Sequence, residues 1–164
     1  ALFMGLARNV IRAEKRIHSS PSSLLFNANN LICKDSEHGM FVTVFYAVID
    51  SHNNIITYSS GGHNNQLLVK NDNKEVISLN TMGKVLGMIE DINFEEKIVM
   101  FDPGDMLILY TDRIVEALGG KDLNIIDGEN KLVDIALEHL DKEPEEIIDI
   151  LKEKFLFYSE VILI

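Results

Sequence analysis

Length, composition and charge set the first limits on this chain of 164 residues, of which 46% are hydrophobic. These values suit one domain with a sizeable core and exclude a disordered or fibrous chain. The formal charge of −11 disfavours a nucleic-acid partner and an anionic membrane, because phosphate backbones and anionic lipids repel an acidic surface.

Cysteine content and hydropathy indicate the cellular setting. Cys33 is the single cysteine, so an intramolecular disulfide and a thiolate zinc cluster are excluded, and a reducing, cytoplasmic setting is expected. The longest strongly apolar run, residues 40–49, is too short to cross a bilayer, so no membrane insertion is expected. The chain opens on Ala1-Leu2-Phe3-Met4 without a basic leader, as if cut from inside a longer protein.

The N-terminal part of the chain carries two helical patterns. Apolar residues recur at helical spacing along residues 2–17 and again along residues 21–34. Ser19-Ser20-Pro21 lies between them and offers cap residues and a proline suited to a helix start. The complementary apolar faces predict an antiparallel helix pair packed on a sheet, with Cys33 on the apolar face of the second helix.

From Met40 onward the pattern changes to short runs of β-branched and aromatic residues separated by turn residues. Asp50-Ser51-His52-Asn53-Asn54 and Asn71-Asp72-Asn73-Lys74 have turn chemistry, and each predicts a hairpin. The predicted strands are residues 40–49, 55–59, 67–70, 75–79, 94–101 and 106–110.

After Thr111 the pattern is helical again. Apolar faces along residues 132–140 and 147–155 predict two helices, and residues 160–164 predict a terminal strand. Two helices, several antiparallel strands, two helices and a strand favour an α+β fold, with helices packed on antiparallel sheets. We expect one domain over residues 1–164.

The most informative stretch runs from Asp102-Pro103-Gly104-Asp105 through an apolar strand to Tyr110-Thr111-Asp112. It predicts a tight turn, a buried strand, and a carboxylate at the end of that strand, where a ligand or metal could be held. A second interpretation is that Asp112 caps the following helix with Glu116 one turn on. The residues alone favour the helix cap.

This stretch, followed by Val115-Glu116-Ala117, closely resembles a hallmark of the bacterial sporulation-protein-E/RsbU type of serine phosphatase, which belongs to the type 2C, metal-dependent protein phosphatases. Three more stretches resemble the family in the same order. They are residues 39–46 (its central strand), 58–64 (its glycine-histidine turn) and 86–88 (before its last hairpin).

The resemblance implies a sandwich of two antiparallel sheets flanked by helices. It also implies two Mn²⁺ or Mg²⁺ ions held mainly by aspartates, and hydrolysis of phosphoserine or phosphothreonine in a regulatory protein, such as an anti-sigma-factor antagonist. Asp112 is the one metal ligand that the resemblance assigns here, and it assigns no catalytic residue. Carboxylate oxygens are the ligands that such hard cations prefer.

Three departures from the family pattern bear on activity. The strands that carry two of the family's metal-ligand aspartates precede Ala1 in the pattern, so the match is N-terminally incomplete and lacks the first strands. Arg113 stands where the family has glycine, and its charge competes with a cation for Asp112 or helps to hold a phosphate. Glu160 is at best a substitute for the family's paired C-terminal aspartates. The parent protein is therefore expected to be the phosphatase, whereas this chain alone need not be active.

Alternatives remain open from the sequence. The chain could be a non-catalytic phosphatase-like module that binds a regulatory partner, which Arg113 and the altered C-terminus favour. An unrelated α+β ligand-binding domain would require four ordered motifs to coincide. His63 is either a proton shuttle or, as its glycine-rich turn favours, a turn histidine bonded to local backbone. Without the first strands a sheet edge lies open, which predicts a homodimer or another edge cover.

Overall fold

A computed structural model of the chain describes residues 2–35, 39–119 and 125–160. Within these ranges lie five helices and six strands, which confirm the predicted α+β class with antiparallel sheets. The helices are α1 (Leu2–Glu14), α2 (Pro21–Asp35), α3 (Asp112–Gly119), α4 (Ile125–Glu138) and α5 (Pro144–Glu160). The strands are β1 (Val44–Asp50), β2 (Ile55–Gly61), β3 (Gln66–Val69), β4 (Val76–Leu79), β5 (Lys97–Met100) and β6 (Met106–Ile108).

The chain divides into two compact units. The first comprises Ala1–Asn65 and Leu79–Asp102, and the second comprises Gln66–Ser78 and Pro103–Ile164. The expectation of one domain over residues 1–164 stays a prediction.

The first unit is built on an antiparallel sheet with strand order β1-β2-β5. β1 and β2 form the predicted hairpin, paired from Val44 with Gly61 to Asp50 with Ile55. The turn forms because Asp50 Oδ1 accepts hydrogen bonds from the amides of His52 and Asn53, while Asn54 adopts a φ of 55°. Short polar residues therefore set the register of the sheet.

The predicted helix pair of the first unit is confirmed. α1 packs on α2, and α2 packs on β1 and β2. The contact face of α2 consists of four fully buried apolar residues: Leu24, Leu25, Ala28 and Ile32. They share a core with Ala7 of α1, with Val42 before β1 and with Leu86 after β4. α1 ends at Glu14, earlier than the predicted residue 17, and Ile17 is 72% exposed.

The first turn of α2 is closed by a carboxylate from a distant part of the chain. Glu96 Oε2 accepts hydrogen bonds from the Ser22 amide and from the hydroxyls of Ser20 and Ser22. Partial burial alone would raise the pKa of Glu96, but these hydrogen bonds outweigh it and lower the pKa below the usual value. An anion is favoured here because it meets the positive end of the helix dipole and accepts from a first-turn amide that has no partner within the helix.

The second unit contains the sheet β4-β3-β6, apart from Leu79 of β4, and helices α3 to α5. β3 and β4 form the predicted hairpin, and Lys70 N donates to Glu75 O at 2.8 Å where it closes. The core joins β3 and the end of β6 to the helices through buried apolar residues: Leu67, Tyr110, Val115, Leu118, Leu132 and Ile135.

Several predicted elements have different bounds. The strands predicted at residues 94–101 and 106–110 shorten to β5 and β6. The C-terminal part has three helices instead of two, because residues 112–119 form α3, which ends at a glycine, Gly119. Glu160 ends helix α5, so the terminal strand predicted from that residue is wrong there, and residues 161–164 lie outside the described residues. The helix continues because no glycine or proline follows Pro144.

Among the helices of the described residues, none has both the length and the apolar character that a bilayer crossing requires.

A close approach of α3 and α4 depends on one glycine. A Cβ on Gly128 would lie 1.7 Å from the carbonyl oxygen of Val115, which is impossible without separating the helices. Gly5 on α1 offers the matched contrast, because nothing lies within 4 Å of a Cβ built there.

Gly128→Ala is expected to lower the free energy of unfolding by about 2–3 kcal/mol, because overpacking forces the two helices apart. Gly5→Ala is expected to raise it by about 0.5–1 kcal/mol through helix propensity alone. Urea unfolding followed by circular dichroism measures both values. Equal effects of the two substitutions would contradict the close approach of α3 and α4.

Candidate functional site

The turn that opens the hallmark motif is a structural anchor. Asp105, with 3% of its side chain exposed, pairs with Lys70 Nζ at 2.6 Å. Its other oxygen, Oδ1, accepts a hydrogen bond from the Asn71 amide at 3.0 Å. Gly104 has a φ of 94° and lies against Asn71, where a Cβ would come within 3.0 Å of the amide nitrogen of that side chain. Asp105 therefore fastens the start of β6 to the end of β3.

The buried side chain of Gln66 bonds the main chain beyond the point where the pairing of β3 with β6 ends. β6 pairs with β3 through three residue pairs, the last of which is Leu67 with Ile108. Beyond it, Tyr110 N donates to Gln66 Oε1 at 2.7 Å, and Gln66 Nε2 donates to Tyr110 O at 3.2 Å. Tyr110 itself is 8% exposed and packs in the core of the unit. The main chain is thus fixed two residues before Asp112.

Asp112 was predicted to end a strand. This is wrong, because Asp112 begins α3. The strand stops at Ile108 because the chain turns into the helix, and Ile114 N donates to Thr111 O at 3.0 Å in the first turn. Asp112 is exposed. A carboxylate here is stabilised by the positive end of the helix dipole. The helix-cap interpretation stays a prediction. Exposure also leaves its oxygens accessible to a cation.

The described residues do not supply a complete metal centre. Among them, no group of three or more histidine, cysteine or acidic side chains could hold an ion. Asp112 suits a hard cation as one ligand, and Glu116 follows four residues later on α3. Exposed Arg113 adds a positive charge beside this carboxylate. The donors on these residues therefore do not fit a two-metal centre by themselves.

The turn that contains His63 belongs to the first unit. Ser60 Oγ accepts from the His63 amide and donates to its carbonyl oxygen, both at 3.2 Å, and Gly62 has a φ of 68°. The ring Nδ1 lies 3.1 Å from Thr43 Oγ1. His63 is therefore a bonded turn residue, as favoured, although its ring bonds to a side chain instead of local backbone.

Cys33, predicted on the apolar face of the second helix, is half-buried. Its Sγ lies 3.6 Å from Asn29 Oδ1, and burial raises the pKa of the thiol above its ordinary value. A thiol kept protonated in this way is a poor nucleophile.

The second unit contains an apolar cavity of 530 Å³. It is lined by Ile108, Leu109, Tyr110, Ile114, Leu132, Ile148, Leu151 and Lys152. Lys152 is its one charged lining residue among those described, and Lys152 Nζ contacts Asp149 Oδ1 at 2.8 Å. Such a lining suits apolar groups and gives a phosphate few partners.

Sequence analysis missed Gln66, Lys70 and the anchoring role of Asp105. All three act through contacts between residues at least 34 positions apart in the chain, and no spacing rule within the sequence reports such contacts. A glutamine before an apolar run is equally compatible with an exposed strand start.

The family model described as stage II sporulation protein E (SpoIIE) matches residues 1–159. The chain belongs to the SpoIIE family. Two relatives support this family assignment. Phosphoserine phosphatase RsbU of Bacillus subtilis is 27% identical over 116 residues, and protein IcfG of Synechocystis sp. is 31% identical over 126 residues. The aligned parts cover 71% and 74% of this chain but 35% of RsbU and 19% of IcfG, so the chain spans a minor part of each relative.

Solved structures show the same fold. The RsbU and RsbW domains of Rv1364c from Mycobacterium tuberculosis match with a TM-score of 0.76 and 18% identity, over 98% of this chain and 43% of that one. The PP2C phosphatase domain and regulatory fragment of SpoIIE from Bacillus subtilis match with a TM-score of 0.76 and 16% identity, over 96% of this chain and 45% of that one. The predicted type 2C phosphatase fold is confirmed.

Asp105→Ala is expected to lower the free energy of unfolding by about 3 kcal/mol or more, because it leaves the largely buried Lys70 ammonium and the Asn71 amide without their carboxylate. Asp149→Ala removes the carboxylate of the exposed Lys152 pair and is expected to change stability by less than about 0.5 kcal/mol. Urea titrations of both variants measure the difference. A loss below about 1 kcal/mol for Asp105→Ala would contradict the anchor.

Proposed function

We propose that the protein to which this chain belongs is a phosphoprotein phosphatase that removes phosphate from phosphoserine or phosphothreonine. The observation that carries the proposal is the family match over residues 1–159. It is supported by the relative from Bacillus subtilis, which is named a phosphoserine phosphatase. The accessible carboxylate of Asp112 at the start of α3 gives the activity a chemical basis in this chain.

The proposed substrate is a phosphorylated regulatory protein, of the kind represented by anti-sigma-factor antagonists, in the cytoplasm. The mycobacterial structure with the same fold contains an RsbW domain beside its RsbU domain, which supports a role in signalling. The formal charge of −11 supports a protein partner over a nucleic acid.

The proposed cofactor is Mn²⁺ or Mg²⁺, with Asp112 as one ligand. Hard divalent cations prefer carboxylate oxygens, and Asp112 presents such oxygens at an exposed position. The remaining ligands of a two-metal site would come mainly from residues other than those described. Glu160 stays a proposed substitute ligand, now at the end of a helix.

A homodimer is also proposed. In the part of the chain that the structure describes, β1 pairs on one side only, with β2. An unpaired strand edge offers main-chain donors and acceptors to a second chain.

A second candidate function is a phosphatase-like module that binds a regulatory partner without catalysis. The donor set of the described residues favours it, because Asp112 and Glu116 are too few carboxylates for two ions and Arg113 opposes a cation nearby. The two candidates differ in one measurable property, phosphate release.

The decisive experiment compares this chain with the full-length protein. Mn²⁺ binding is measured by titration calorimetry and phosphate release with a phosphoserine peptide. We expect weak binding and negligible release by this chain, and release by the full-length protein. Asp112→Asn in the full-length protein is expected to lower kcat by at least about 100-fold, because even groups that only support metal ligands are worth 10–100-fold.

Asp127→Asn is the matched control, since Asp127 is also an exposed aspartate in the first turn of a helix of the same unit. Its kcat is expected to stay within about twofold of the unmodified protein. Tight binding of two ions and full turnover by this chain alone would contradict the assignment of Asp112. Absence of release from every form would favour the binding module.

A further inference from the structure

Gln66 takes the place of a neighbouring strand for the segment that leads to Asp112. It is the first residue of β3 and is 1% exposed. Its amide oxygen accepts from Tyr110 N at 2.7 Å, and its amide nitrogen donates to Tyr110 O at 3.2 Å. These are the two hydrogen bonds that a paired strand residue would make with Tyr110. The pairing of β3 with β6 is thereby extended two residues past Ile108.

We propose that Gln66 is a positioning residue for Asp112, and thus for the phosphatase site; this inference rests on the proposed function. Tyr110 is held at two points, by the Gln66 amide on its main chain and by the core around its ring. Thr111 follows directly, and its carbonyl oxygen accepts the first hydrogen bond of α3, from Ile114 N. The direction in which Asp112 leaves the sheet is set at Tyr110.

The residues on either side of Tyr110 contribute little burial of their own. Leu109, between the last ladder pair and Tyr110, is 61% exposed, so it contributes little burial. Asp112 and Arg113 are exposed as well. Without the Gln66 amide, the main chain of Tyr110 would lose both of these hydrogen bonds at a position that water hardly reaches, and the start of α3 would shift or fray.

The chemistry of this position selects an amide. Asparagine and glutamine carry a donor and an acceptor on one planar group, which matches the N–H and C=O of a single residue. A glutamate has the same shape but, when ionised, offers acceptors only and faces the Tyr110 carbonyl oxygen without a proton. A leucine has a similar size and satisfies neither group. Gln66→Glu and Gln66→Leu therefore separate shape from hydrogen bonding.

Asn29 provides a matched control in the first unit. It is fully buried, and its amide also bonds main-chain groups at two points: Gly87 N donates to Oδ1 at 3.0 Å, and Nδ2 donates to Ile89 O at 2.8 Å. Asn29→Leu removes a buried two-point amide of the same kind from a segment other than the one before Asp112. The change in kcat of Asn29→Leu therefore measures how much activity is lost when any buried amide with two main-chain hydrogen bonds is removed.

The test uses the full-length protein with each substitution and has two readouts. Hydrogen exchange followed by mass spectrometry reports the protection of residues 109–115, and kinetics with a phosphoserine peptide and Mn²⁺ report kcat and KM. For Gln66→Leu we expect at least a tenfold loss of protection in residues 109–115 and at least a tenfold lower kcat, with KM changed less than threefold. For Asn29→Leu we expect the protection loss in residues 86–91 and kcat within twofold.

Measurements are made at temperatures where the variants are equally folded, so that global stability does not enter. If Gln66→Leu does not fold, Gln66→Glu keeps the shape and is expected to show the same two losses. Unchanged protection of residues 109–115 would overturn the proposal, as would lost protection with unchanged kcat. If the unmodified protein releases no phosphate, the proposed function fails, and the exchange readout alone then decides whether Gln66 holds the Asp112 segment.

Discussion

The second unit depends on the attachment of β6 to β3 at both ends of a very short ladder. Three residue pairs are too few to hold a strand firmly, since typical strands are about five or six residues long. The Asp105–Lys70 ion pair fixes the beginning, and the Gln66–Tyr110 hydrogen bonds fix the end. Both contacts are buried, where polar groups must be paired, so a shifted strand would leave several groups unsatisfied. The strand therefore has one favourable register.

The two aspartates Asp105 and Asp112 of the hallmark motif have different roles. Asp105 has a structural role, because nearly all of its side chain is buried and its oxygens contact Lys70 Nζ and the Asn71 amide. Asp112 has the opposite environment, because it is exposed at the positive end of α3. A carboxylate that carries out chemistry on a protein surface needs a rigid mount and free oxygens. The motif supplies the mount with one aspartate and the free oxygens with another.

Sequence reasoning predicted the elements whose signals are local. The periodicity of α1 and α2 and the turns at Asp50 and Asn71 lie within a few residues of the structure they specify. It failed where tertiary context decides. The apolar run after Met106 reads as one strand to Tyr110, but the chain leaves the sheet after Ile108 because α3 begins at Asp112. Gln66 and Lys70 were missed because their partners are remote in sequence. Asp112 itself was found by motif resemblance, since the residues alone favoured a helix cap, and it lies in the first turn of α3.

We predict that the fixed end of β6 presents Asp112 to a divalent cation. The most direct measurement is a crystal structure of the full-length protein with Mn²⁺, with the ions located by their anomalous scattering. We expect an ion within coordination distance of an Asp112 carboxylate oxygen, while the Gln66–Tyr110 hydrogen bonds remain in place. Bound Mn²⁺ with the Asp112 carboxylate pointing away from every ion would contradict it.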